Sequence, residues 1–181
     1  KDLLQAMARD ALTPNDVLKD LAAHSDRNVR HAVASSASTP ANVLRILESD
    51  SEPSIRGLVG NANGLPLESL VHLSSDVEPA VRASVAGNPS TPAELLIRLA
   101  SDEDPSVVEA VAANQKATSV VLERVVNEQL ERRRRQPPGP AYARDRVKVP
   151  LGPLETAASN PRTPPAALSA ITDSLASAVA S

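Results

Sequence analysis

Apolar residues recur along most of this chain at a fixed distance. From Thr91, the segment TPAELLIRLASDEDPSVVEAVAAN puts Leu95, Leu96 and Leu99 on one helical stripe and Val107, Ala110 and Val111 on a second. The same positions return every 26 residues. Leu18, Leu44, Leu70 and Leu96 form one column, and Leu21, Leu47, Leu73 and Leu99 another. Val29, Ile55, Val81 and Val107 form a third, and Val33, Val59, Val85 and Val111 a fourth. This pattern predicts repeated pairs of short helices, here called A and B. Each is too short to persist alone in water, so each must bury its stripe against the next pair.

Polar positions punctuate the pattern. Thr13-Pro14, Thr39-Pro40, Leu65-Pro66 and Thr91-Pro92 precede the A helices. Glu52-Pro53, Glu78-Pro79 and Asp104-Pro105, with Asp26-Arg27 in the first copy, precede the B helices. The expectation is that each Thr accepts a hydrogen bond from an unpaired backbone N–H, that proline takes the first helical position, and that Asp16, Asn42 and Glu94 face the positive end of the helix dipole. Helices this short can also be 3₁₀.

The pattern TPxxLLxxLAxDxxPxVRxAVAxNPS, seen in STPAELLIRLASDEDPSVVEAVAAN and GLPLESLVHLSSDVEPAVRASVAGNPS, resembles the bacterial leucine-rich repeat variant family. The resemblance covers most of residues 1–128 and returns at 154–181. It implies a right-handed superhelix of alternating α and 3₁₀ helices in place of the β-horseshoe of ordinary leucine-rich repeats. HEAT-type and bilin-lyase-type repeats share the DxxPxVRxAVA half. The 26-residue spacing is slightly longer than the family's usual unit. Some members carry an iron–sulfur module; this chain has no Cys, so that cofactor does not carry over.

The expected organisation is an all-α solenoid over residues 1–130, a basic Pro/Arg-rich insertion over 131–150 and a terminal repeat or cap over 151–181. Leu3, Met7 and Asp10 match Val81, Val85 and Asn88, so the chain opens inside a partial repeat and reads as a piece of a longer protein. Full repeats start near residues 13, 39, 65, 91 and 118, with one extra residue before Thr118. Gly57, Gly60 and Gly64 make the second of these the loosest on helix propensity. From Thr118 the apolar positions Val121, Leu122, Val125, Val126 and Leu130 predict one long helix to about Arg135, ended by QPPGP.

Composition narrows the chemistry. There is no Phe, Trp or Cys, and Tyr142 is the one aromatic residue. The core is then Leu, Val, Ile and Ala, and disulfides and thiolate metal sites are excluded. No apolar run is long enough for a membrane span and no signal-peptide pattern is present, so a cytoplasmic protein is expected. Net charge is −3, but residues 131–150 hold seven basic and two acidic residues, +5, which leaves −8 for the rest.

Candidate binding residues are therefore Arg132, Arg133, Arg134, Arg135, Tyr142, Arg144, Arg146 and Lys148 of the insertion, suited to carboxylate or phosphate groups. Arg30, Arg56 and Arg82 form a repeat column, broken by Val108 in the next copy. That column is either a cationic stripe or, as the simpler reading, a set of local pairs with Asp26, Glu52 and Glu78 four residues earlier. Asp50, Asp76 and Asp102 read as solvent-facing turn residues, and His24, His31 and His72 as surface residues without ligand spacing. No metal site, cofactor motif, phosphate loop or nucleophile–base pair is legible. The expected function is a non-catalytic scaffold for another protein, one with an acidic or phosphorylated surface. The alternatives are nucleic-acid or other polyanion binding through the insertion and the Arg column, and an enzyme akin to repeat lyases acting on bilins.

Overall fold

The computed structural model describes residues 2–135 and 152–180 and is all-α. Its chain forms two compact units, Lys1–Thr91 and Pro92–Ser181.

In the first unit the B helices are α1 (Asp2–Arg9), α3 (Arg27–Ser35), α5 (Pro53–Gly60) and α7 (Pro79–Gly87), and the A helices are α2 (Asn15–Ala22), α4 (Ala41–Leu47) and α6 (Leu67–Leu73). The B helices pack in sequence, α1 on α3, α3 on α5 and α5 on α7, while α2 packs on α4. In the second unit α8 (Ala93–Leu99), α10 (Ser119–Arg135) and α12 (Pro165–Ala180) are A helices, and α9 (Pro105–Ala113) and α11 (Gly152–Ser159) are B helices. Here α8 packs on α10, α10 on α12 and α9 on α11. Each unit is thus a two-layer stack of helix pairs, the repeat architecture that the 26-residue period predicts.

The apolar columns are the core. Val29, Val33, Ile55, Val59, Val81 and Val85 are at most 1% exposed, as are Val107, Val111 and Leu96 in the second unit. Burial of each such side chain contributes about 1.5–3 kcal/mol before chain entropy is counted. The small residues of the B helices let neighbours approach closely. A Cβ on Gly60 would stand 3.2 Å from Val85 Cγ2, and one on Gly57 3.4 Å from Ser84 Oγ. Gly60 is therefore a seat for α7, whereas a Cβ on Gly57 would make an ordinary contact.

Several local expectations need correction. Both helices of each pair are α, and no 3₁₀ helix occurs among the described residues. Tightening is limited to i→i−3 bonds at helix ends, such as Asp50 N–H to Leu47 O after an A helix and Asn88 N–H to Val85 O after a B helix. Proline takes the first helical position in the B helices α5, α7 and α9 and in α12; before α2, α4, α6 and α8, Pro14, Pro40, Pro66 and Pro92 stand one place earlier, as N-caps. The column threonines do not cap an N–H. Their hydroxyls donate backwards to the carbonyl six residues earlier, Thr13 to Met7 (2.7 Å), Thr39 to Val33 (2.7 Å), Thr91 to Val85 (2.6 Å) and Thr163 to Ala157. Each of these carbonyls, at the end of a B helix, already accepts one backbone N–H, from Asp10, Ser36, Asn88 and Asn160, and the hydroxyl takes its second lone pair.

The extra residue before Thr118 also disappears. Helices α2, α4, α6, α8 and α10 begin at residues 15, 41, 67, 93 and 119, without interruption of the 26-residue spacing. Ala117 occupies the threonine position, fully buried, and Thr118 the proline position. From there Thr118 Oγ1 does accept from Val121 N–H (3.4 Å).

Candidate functional site

The Arg column is an internal ladder. Arg30 donates from Nε to Asp50 Oδ2 (2.7 Å) and from Nη2 to Asp50 Oδ1 (3.1 Å), while Nη1 donates to the carbonyls of His24 (3.0 Å) and Ser25 (3.1 Å). Arg56 repeats this with Asp76 Oδ2 (2.6 Å), Asp76 Oδ1 (2.8 Å) and Asp50 O (2.7 Å). Each guanidinium therefore bridges the turn before its own helix and the aspartate twenty residues on, in the next repeat. This corrects the reading of local pairs with Asp26 and Glu52. It also replaces the solvent-facing reading of the turn aspartates: the side chains of Asp50 and Asp76 are only 4% and 10% exposed. Arg82 donates likewise to the carbonyls of Asp76 (2.8 Å) and Val77 (3.1 Å).

The aspartates have a second task. Asp50, Asp76 and Asp102 accept from the N–H two residues on, at Glu52, Glu78 and Asp104, each at 2.9 Å. His24 stands at the same repeat position and accepts from Asp26 N–H through Nδ1 (3.0 Å). It thus shapes the turn with a neutral acceptor in the one copy whose preceding repeat has Leu4 in place of the arginine.

Electrostatics follow the geometry. Burial pushes the Asp50 carboxyl up, but the hydrogen bond from Arg30, the Glu52 N–H and the charges of Arg30 and Arg56 outweigh it, so its pKa falls below the ordinary value. For Asp76 the hydrogen bond from Arg56 is the leading cause and again the net shift is downward, against desolvation. Both arginines are held more firmly protonated by the same bonds.

Of the insertion's candidates, Tyr142, Arg144, Arg146 and Lys148 lie outside the described residues. Arg132, Arg133, Arg134 and Arg135 form the last turn of α10. Arg132 folds back onto the turn between α8 and α9, donating to the carbonyls of Ser101 (2.9 Å), Asp102 (2.6 Å) and Glu103 (3.3 Å). Arg134 pairs with Glu131 (2.7 Å) on the surface. The four arginines are therefore not equivalent.

Sequence reasoning missed the asparagine column. Asn88, fully buried, donates from Nδ2 to Gly60 O (2.8 Å) and Ala62 O (2.9 Å) of the preceding repeat, and its Oδ1 accepts from Ser90 N–H (2.7 Å). Asn160 donates to Ala112 O (2.8 Å) and accepts from Arg162 N–H (3.0 Å). The recurrence of Asn-Pro at Asn88-Pro89 and Asn160-Pro161 was the available signal.

Large apolar side chains remain on the outer arc of the A helices. In the first unit Ile46 is 42%, Leu67 58% and Val71 42% exposed. In the second unit, Ile97 and Val120 of its own A helices are exposed as well. No group of three or more metal-ligating side chains and no helix long and apolar enough to cross a membrane occurs among the described residues.

Residues 79–104 match the leucine rich repeat variant family, a segment one full period long that runs from the start of α7 through α8 to the turn before α9. Compared with curated proteins and with solved structures, the chain has no match.

Proposed function

We propose that this protein is a non-catalytic scaffold of the leucine-rich repeat variant kind that binds another protein through the outer arc of its A helices. The observation that carries the reading is the set of exposed apolar side chains there, Ile46, Leu67 and Val71 in the first unit. Lys19, Arg45, Glu68 and His72 of the same A helices are exposed too, a mixture of apolar anchors and polar residues that suits a protein surface. The column arginines support nucleic acid less well, because the donors of Arg30 and Arg56 are engaged within the repeats. A cytoplasmic setting goes with this reading.

The test is site-specific photo-crosslinking in the native host from position 71, with position 31 on the exposed face of α3 as the contrast. Protein adducts from position 71, lost when Ile46→Ser, Leu67→Ser and an added Glu68→Ala are combined, support the proposal. Adducts that survive those changes, or that form only from position 31, overturn it. Duplex and single-stranded oligonucleotides titrated over a salt series decide the alternative. Salt-steep binding abolished by Arg133→Ser, Arg134→Ser and Arg135→Ser together would establish polyanion recognition instead.

A further inference from the structure

We infer that Arg132 is a latch that pins the extended end of α10 by standing in for the column arginine that Val108 lacks. In the regular repeats the arginine on helix B donates to the turn just before that helix. Arg30 reaches His24 O and Ser25 O, and Arg82 reaches Asp76 O and Val77 O. Advanced by one repeat, those two carbonyls are Asp102 O and Glu103 O, and the arginine position is Val108. Arg132 donates to both of these carbonyls, and to Ser101 O as well. The correspondence extends to the acid. The column aspartates lie twenty residues beyond their arginines; twenty beyond Val108 is Glu128, whose Oε1 is 3.8 Å from Arg132 Nε.

The extension of α10 makes this possible. The A helices that precede it in the chain end after seven or eight residues, whereas α10 runs for seventeen. Arg124, Glu128 and Arg132 are spaced four apart, so they share one face, and that face meets the 101–103 turn. Arg124 donates from Nε and Nη2 to Ser101 Oγ (3.1 and 3.0 Å) and lies 3.8 Å from Glu128. Val108, freed of an arginine's role, is completely buried. One change, Arg to Val, leaves turn carbonyls without their donor, and one helix, lengthened by its own sequence, returns a donor to them. The latch holds Arg133, Arg134 and Arg135 at a set place beside the turn and is independent of whether the outer arc binds a protein.

Hydrogen exchange on the full chain tests it. Arg132→Gln should speed exchange of the amides of residues 127–135 by about tenfold or more, as loss of a charged donor to several carbonyls implies. The amides of α2 to α7 should not change. Arg133→Gln, which removes the neighbouring charge without touching the turn, should leave 127–135 as in the parent. If Arg132→Gln leaves those amides unchanged, or Arg133→Gln speeds them equally, the latch does not exist. Arg132→Lys separates charge from geometry: a lysine cannot present the planar fork, so faster exchange is expected there too, and full retention would overturn the assigned role of the guanidinium.

Discussion

The two units solve the same stacking problem with different parts. In Lys1–Thr91 each turn is tied by an arginine and an aspartate at fixed repeat positions, Arg30 with Asp50 and Arg56 with Asp76. In Pro92–Ser181 the arginine position is Val108, and the turn is tied by Arg132 from a helix that overruns the repeat length. What a turn requires is therefore a donor for its carbonyls, and the chain position that supplies it is secondary. Regular repeats supply it in register, so one substitution can be offset only by a residue brought back from outside the register.

The largest effect should come from breaking a rung of the ladder. Asp76→Ala leaves the Arg56 guanidinium, 12% exposed, without its carboxylate and removes the acceptor for Glu78 N–H. A loss of about 2–3 kcal/mol is expected in denaturant unfolding. An unchanged midpoint would mean that the ladder is ornamental to folding.

Acid should reach the same pairs. Asp50 and Asp76 have folded-state pKa values below the ordinary one. The stability they contribute is fully present above the unfolded value, about 4, and is lost as pH falls through the lower folded value. Thermal unfolding followed from pH 6 to pH 3 should therefore decline for the parent. The decline should be shallower in Asp50→Asn, Asp76→Asn, which starts lower.

The asparagine staples sharpen the contrast further. Asn88→Ala removes two bonds to carbonyls of the preceding repeat from a buried position and should cost about 1.5–2 kcal/mol. Asn160→Ala removes one such bond from a more open place and should cost about 1 kcal/mol or less. Equal losses would show that the two units rely on this residue alike. The smallest effect is a gain: Gly57→Ala, whose new Cβ meets Ser84 Oγ at an ordinary 3.4 Å, should stabilise by about 0.5–1 kcal/mol. The same substitution at Gly64, where φ is +73°, should destabilise.

Legibility in the sequence followed the kind of interaction. The apolar columns were readable because burial is set by helical spacing, and every column residue from Leu18 to Val111 lies in the core. Proline at the start of the B helices α5, α7 and α9 was readable for a similarly local reason. The partners of polar residues were not. Asp26 and Asp50 are both near Arg30 in different senses, four residues back along the chain and twenty residues on, and only the packing of one pair on the next selects Asp50. The threonine hydroxyl could equally face the helix ahead or the helix behind; only the folded turn brings it over the carbonyl six residues earlier, at the end of the preceding B helix. Of the residues proposed for binding, Tyr142, Arg144, Arg146 and Lys148 lie beyond what the structure describes, and Arg132 is already engaged with its own turn.

The sequence by itself determined the period, the helix pairs and the identity of the core, because these depend on which face of a short helix avoids water. Only the tertiary structure decided which donor meets which acceptor, since a hydrogen bond needs two groups within about 3 Å, and residues twenty or thirty places apart meet at that distance only once the repeats are stacked. Arg132 is the clearest instance. Its sequence shows a basic residue at the end of a helix, and its fold makes it the missing member of a column that it does not belong to.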